Sequence, residues 1–125
     1  MSDQKVEVLK GIYARMEEPK DVMADLAQWA RVDQDFSQPL RFWSKPLSFD
    51  FSFISSYFRE FEIGNPWHFR EANDQNTWLR ARYFPEEAPP IEKELDFVGA
   101  EHNALDDTLH QVRVVLEGYS RTRDV

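Results

Sequence analysis

The residues best suited to chemistry lie near the end of the chain, in Glu101-His102-Asn103-Ala104-Leu105-Asp106-Asp107-Thr108-Leu109-His110-Gln111. His102 and Asp107 are five positions apart. On one continuous helix they would point about 140° from each other. They can converge only if His102 precedes the helix and Asp107 lies in its first turns. Gly99 and the cap-forming Asn103 favour that arrangement. A carboxylate near a helix N-terminus stays ionised, which suits a metal ligand. A histidine beside it could take a proton from water. On spacing alone the plainer reading is favoured, a surface helix whose acidic first turn complements the helix dipole.

A second set of residues is Trp43-Ser44-Lys45-Pro46-Leu47-Ser48-Phe49-Asp50-Phe51. Leu40 to Trp43 reads as a short strand closed by Ser44-Lys45-Pro46, and Ser48 or Asp50 as the N-cap of a following helix. Taken singly, a capping role accounts for this aspartate completely.

The residues around both sets favour chemistry. His-Asn-Ala-Leu-Asp-Asp followed by His-Gln is similar to the third motif of the DEDDh 3′–5′ exonucleases, the superfamily that includes ribonuclease T. The resemblance implies His102 as general base and Asp107 as metal ligand, with Asp106 and His110 as solvent or packing residues. A strand, a small turn, Ser-Phe-Asp and an aromatic helix resemble the second motif, which implies that Asp50 helps to hold metal-bound water. Asn65 to Thr77 is similar to the strand-to-helix segment of the branch with phage exonuclease A and exodeoxyribonuclease VIII. That branch commonly reads Arg-Asp-x-Arg-Thr. Here Asp74 and Thr77 match, while Asn73 and Asn76 replace both arginines. Phe49, Asn103 and Asp74 are the expected substrate contacts, with a structural role for Asp74 as the alternative. Two weak patterns in the family's order are stronger than either alone.

The family's first motif, Asp-x-Glu on an apolar strand, has no counterpart ahead of Asp50. Asp25-Leu26-Ala27 lacks the glutamate and falls in a helical stripe. Glu60-Phe61-Glu62 and Glu94-Leu95-Asp96 follow the second motif and have the wrong order. Two-metal phosphodiester hydrolysis needs several carboxylates around ions about 3.5–4 Å apart. The resemblance therefore implies Mg²⁺ or Mn²⁺ only in a site completed from another chain, an upstream segment or a second copy. The substrate would be a single-stranded DNA or RNA 3′ end. A catalytically silent nucleic-acid-binding or regulatory protein is the alternative, and a helical interaction module a third reading.

The elements that must position these residues are helix-rich. Val6, Leu9, Ile12, Tyr13 and Met16 fall at helical spacing, and Pro19 opens a second helix with the stripe Val22, Leu26, Trp29. Phe53, Ile54, Tyr57, Phe58 and Phe61 form a third stripe. Trp67 and Phe69 alternate as in a short strand, a fourth helix spans about 74–83, Glu86 to Pro90 reads as a loop, and 91–99 is ambiguous. Leu105, Leu109, Val112, Leu116 and Tyr119 mark a long last helix. The expected fold is one α/β domain over 1–125, an incomplete ribonuclease H-like fold with a few short strands, lacking the first strands of the sheet.

Composition agrees with a globular domain. The 125 residues are 42% hydrophobic and 30% charged, too apolar for disorder, and without cysteine no disulfide or thiolate site exists. The net charge of −8 disfavours a basic-patch binder of nucleic acid but not an enzyme that grips phosphate through cations. No apolar run approaches a membrane span, and Met1 to Lys10 has no signal-peptide character, so a cytoplasmic setting is expected.

Overall fold

The computed structural model describes residues 16–124 apart from 33 and 36, together with 3, 5–7 and 10. Val6 is helical and half-buried, as its place in the first stripe predicts. Leu9, Ile12 and Tyr13 lie outside the described residues, and Met16 stands exposed beyond the helix. The chain divides into two compact units, one of residues 17–78 and one of 1–16 with 79–125.

The 17–78 unit opens with α1 (Pro19–Arg31), whose first position is Pro19, where the missing N–H costs nothing. Its buried residues are Met23 and Ala27, while Val22 and Trp29 of the expected stripe are exposed. The stripe is thus rotated by one residue, because small Ala27 rather than the Trp29 ring can approach the neighbouring helix closely. The helix ends at Arg31, whose Nη2 donates to Gly64 O at 3.0 Å.

Next come β1 (Phe42–Ser44), α2 (Leu47–Glu60) and β2 (Ala72–Asp74). The strands pair in parallel, with Phe42 opposite Ala72, Trp43 opposite Asn73 and Ser44 opposite Asp74. A parallel pair needs a crossover, and α2 supplies it. Phe58 is only 1% exposed and packs with Met23, Ala27, Leu26, Ile54, Phe61, Ile63 and Trp67. Phe53 and Tyr57, predicted on the same stripe, face solvent instead.

Trp67 and Phe69 do not form the expected strand. Asn65 Oδ1 accepts from Trp67 N, and His68 Nδ1 accepts from Arg70 N, which curls the backbone into a 3₁₀ turn at Phe69–Glu71. Such local side-chain bonds compete with a sheet ladder. The strand begins three residues later, at Ala72, and leads directly into α3 (Gln75–Tyr83).

In the other unit, 91–99 resolves into a short helix, α4 (Ile91–Glu94), followed by extended chain, and α5 spans Ala104–Thr122. The face that α5 buries is the reverse of the expected one. His110, Val114, Gly118 and Thr122 are buried, whereas Leu105, Leu109, Val112, Leu116 and Tyr119 are 41–66% exposed. Gly118 and Thr122 are small enough for close packing, and His110 is bonded through Nε2 while its Nδ1 has no hydrogen-bond partner among the described residues. His110 Nε2 lies 2.9 Å from Glu92 O, Thr122 Oγ1 donates to Gly118 O, and Arg82 Nε donates to Thr122 Oγ1. Arg121 clasps Glu94 and Glu117, tying α4 to α5.

The observed class is therefore helix-rich α/β, with one parallel pair of short strands among the described residues. No helix among them is long and apolar enough to cross a membrane.

Candidate active site

The expected site residues fall into two groups, one in each unit. In the 79–125 unit, Asn103 caps α5, its Oδ1 accepting from Leu105 N at 3.1 Å and Asp106 N at 3.2 Å. A side-chain oxygen here satisfies N–H groups that have no partner within the helix. His102 precedes the cap with φ of 68°, in the left-handed region, and its backbone N–H donates to Asp107 Oδ1 at 3.3 Å. Convergence of the two residues depended on His102 lying outside the helix and Asp107 in its first turns, and both positions are observed, with the contact made by the His102 backbone. His102 is exposed and Asp107 half-buried.

Asp106, expected in a solvent or packing role, locks the loop. Its Oδ2 accepts from Ala100 N at 2.9 Å, and a Cβ added to Gly99 would lie 2.5 Å from its carboxyl. Gly99 also has φ of 103°, so side chains are excluded twice over. Gly99→Ala is expected to cost about 1–3 kcal/mol of strain. Its signature is faster amide exchange at Ala100 and His102 while α4 keeps its protection. His110, the other residue expected in a solvent or packing role, is a packing residue against Phe97.

In the 17–78 unit, Asp50 is not the N-cap of α2, nor is Ser48. The cap position is Pro46, which offers no side-chain bond, and Asp50 lies in the first turn. The N–H of Leu47, the first helical residue, donates instead to Asp74 Oδ1 at 2.9 Å, across 27 residues of sequence. Asp74 Oδ2 accepts from Thr77 N at 2.8 Å and Thr77 Oγ1 at 2.9 Å. Ser44 and Asp74 pair at the C-terminal ends of the two strands, where α2 and α3 begin. In parallel α/β folds that edge is where ligands bind. Phe49 is 59% exposed beside Asp50 and meets Phe53 edge-on at 4.8 Å. Asn73, in place of an arginine, donates to Phe42 O and Glu71 O and so holds the sheet.

The sequence carried a local sign for part of the Asp74 cap, since Asp-x-x-Thr is a capping pattern. Its reach to Leu47 left no local sign.

A family model matches residues 2–119, that of the 3′–5′ exoribonuclease Rv2179c-like domain. The chain belongs to this family. The expectation of a 3′–5′ exonuclease family is thereby met for nearly the whole Rv2179c-like chain. Comparison with curated proteins and with solved structures finds no match.

Among the described residues of this Rv2179c-like domain, no three His, Cys, Asp or Glu side chains gather as a metal site. A hard divalent ion such as Mg²⁺ takes oxygen ligands, with one or two protein carboxylates beside waters and substrate phosphates.

Proposed function

We propose that this chain is the motif-bearing part of a DEDDh-type 3′–5′ exonuclease, which releases nucleotides from the 3′ end of single-stranded RNA once its site is completed. Membership of an exoribonuclease-like domain family supports RNA as the substrate class. The observation that carries the reading is the cap of α5. Asn103 and a left-handed His102 bring the histidine to the helix start, with its N–H on the carboxylate of Asp107.

In this reading His102 takes the proton of a water whose oxygen attacks the terminal phosphorus. The bond from phosphorus to the 3′ oxygen of the penultimate nucleotide breaks, and a nucleoside monophosphate leaves. Asp107 orients the histidine loop, Asp50 contributes its carboxylate, and Phe49 and Asn103 meet the substrate. The carboxylates needed to hold Mg²⁺ or Mn²⁺ would come from elsewhere, as an Asp-x-Glu segment from a partner chain or an upstream segment.

Two features support completion by added strands in a ribonuclease H-like sheet. A two-stranded sheet is marginal alone. The apolar side of α5, Leu105 to Tyr119, faces solvent over five large side chains, an extent that in soluble proteins marks an interaction surface.

The test is a 3′-labelled single-stranded RNA incubated with Mn²⁺ and the chain, with and without a segment bearing strand-borne Asp-x-Glu. Label release only with the segment is the expected result. Binding of the RNA without release under both conditions would favour the second reading, a catalytically silent nucleic-acid-binding protein.

A further inference from the structure

The geometry points to Asp74 as a positioning residue that sets the first turn of α2, and with it the placement of Asp50, by capping two helices with one carboxylate. This assignment rests on the reading of Asp50 as a site residue only for its functional consequence. The cap itself stands on contacts within the 17–78 unit.

Helices α2 and α3 both start at the end of the parallel pair, and each presents N–H groups that no residue within the helix can satisfy. At α2 the cap position is Pro46, which has no side-chain acceptor. Asp74 ends β2 opposite Ser44, the last residue of β1, so its side chain lies where both helices begin. One oxygen takes Leu47 N, and the other takes Thr77 N and Thr77 Oγ1, all at 2.8–2.9 Å. An ionised carboxylate suits this double task. It offers two acceptor oxygens and no donor, and its negative charge faces two positive helix ends.

Asp50 depends on this arrangement. Its own N–H and that of Phe49 reach back to Pro46 O at 3.4 and 3.3 Å, bonds that exist only while the turn at Leu47 is closed. The start of α2 is thus held by a residue 27 positions later on another element. A shift of that start would move the Asp50 carboxylate with it.

The test is amide hydrogen exchange by NMR on the chain, wild type against Asp74→Ala and Asp74→Asn, with urea unfolding as the measure of global stability. Asp74→Ala is expected to speed exchange at Leu47 and Thr77 by about two- to thirtyfold, the range for loss of a helix cap. Phe49 and Asp50 should follow, and Phe58, farther along α2, should keep its protection. Asp74→Asn has one acceptor oxygen, so it should rescue Leu47 or Thr77 but not both. Wild-type exchange at Leu47 in Asp74→Ala would overturn the proposal. So would a uniform rise through Phe58 that matches the lost global stability.

In an enzyme completed by an Asp-x-Glu segment, Asp74→Ala should lower kcat with KM unchanged, whereas a substrate contact would raise KM. If Asp50→Asn cleaves normally while Asp74→Ala still loosens Leu47 to Asp50, the role of Asp50 falls and the double cap stands.

Discussion

Phe58→Ala is expected to destabilise the 17–78 unit by about 3–5 kcal/mol, the cost of removing a large ring from a packed core. Phe58 is 1% exposed, the most buried aromatic side chain of α2, and it touches Met23 and Ala27 of α1 together with Trp67. The cavity would open between two helices and the sheet-bearing segment, with no neighbour able to fill it. Urea unfolding followed by tryptophan fluorescence reports the loss directly, since Trp67 sits 6.4 Å from the Phe58 ring. Phe53→Ala on the same helix provides the contrast. Phe53 is 54% exposed, so its loss should stay within about 0.5 kcal/mol. Equal effects at the two positions would mean that α2 buries a different face.

The second large effect is on catalysis. In a completed enzyme, loss of the His102 imidazole is expected to slow RNA hydrolysis by about 10²–10⁴-fold, the contribution of a positioned general base. The choice of replacement matters because His102 has a left-handed backbone, with φ of 68°. Alanine resists that conformation, whereas asparagine tolerates it and carries no base at neutral pH. His102→Asn therefore removes the base and keeps the loop, and His102→Ala removes the base and strains the loop. An equal collapse of kcat in both variants identifies the imidazole as the working group. Near-normal turnover in His102→Asn alone would show that the position serves only the shape of the loop.

The family match covers residues 2–119, from the N-terminal segment to the last turn of α5. The turns that hold Asp50 and Asp107 are built on a shared plan. Each lies at a helix N-terminus, each is fixed by carboxylate or amide oxygens on backbone N–H groups, and each holds an acidic residue in its first turn. Helix starts offer oriented donors and a positive field, which favour acidic side chains.

Local chemistry decided much of this in advance. The start of α1 at Pro19, the length of α5, its Asn103 cap and the place of His102 ahead of it were all legible in the sequence, because each depends on residues within one or two turns. The contact of the His102 backbone N–H with Asp107 was less legible, since spacing alone favoured a plain surface helix. The faces of the helices were another matter. Periodicity shows which residues share a side of a helix but not which side the rest of the chain will cover. On α5 the covered side went to His110, Val114, Gly118 and Thr122, where α4 packs closely and His110 Nε2 and Thr122 Oγ1 find partners. On α1 and α2 the buried sets were likewise decided by which residues meet Phe58. The start of α2 was equally beyond local reading, since its cap arrives from Asp74 through strand pairing. The sequence alone determined most of the helices and the cap of α5. Tertiary structure decided which surfaces they bury and which distant side chain holds Asp50 in place, because those contacts join residues that no local pattern connects.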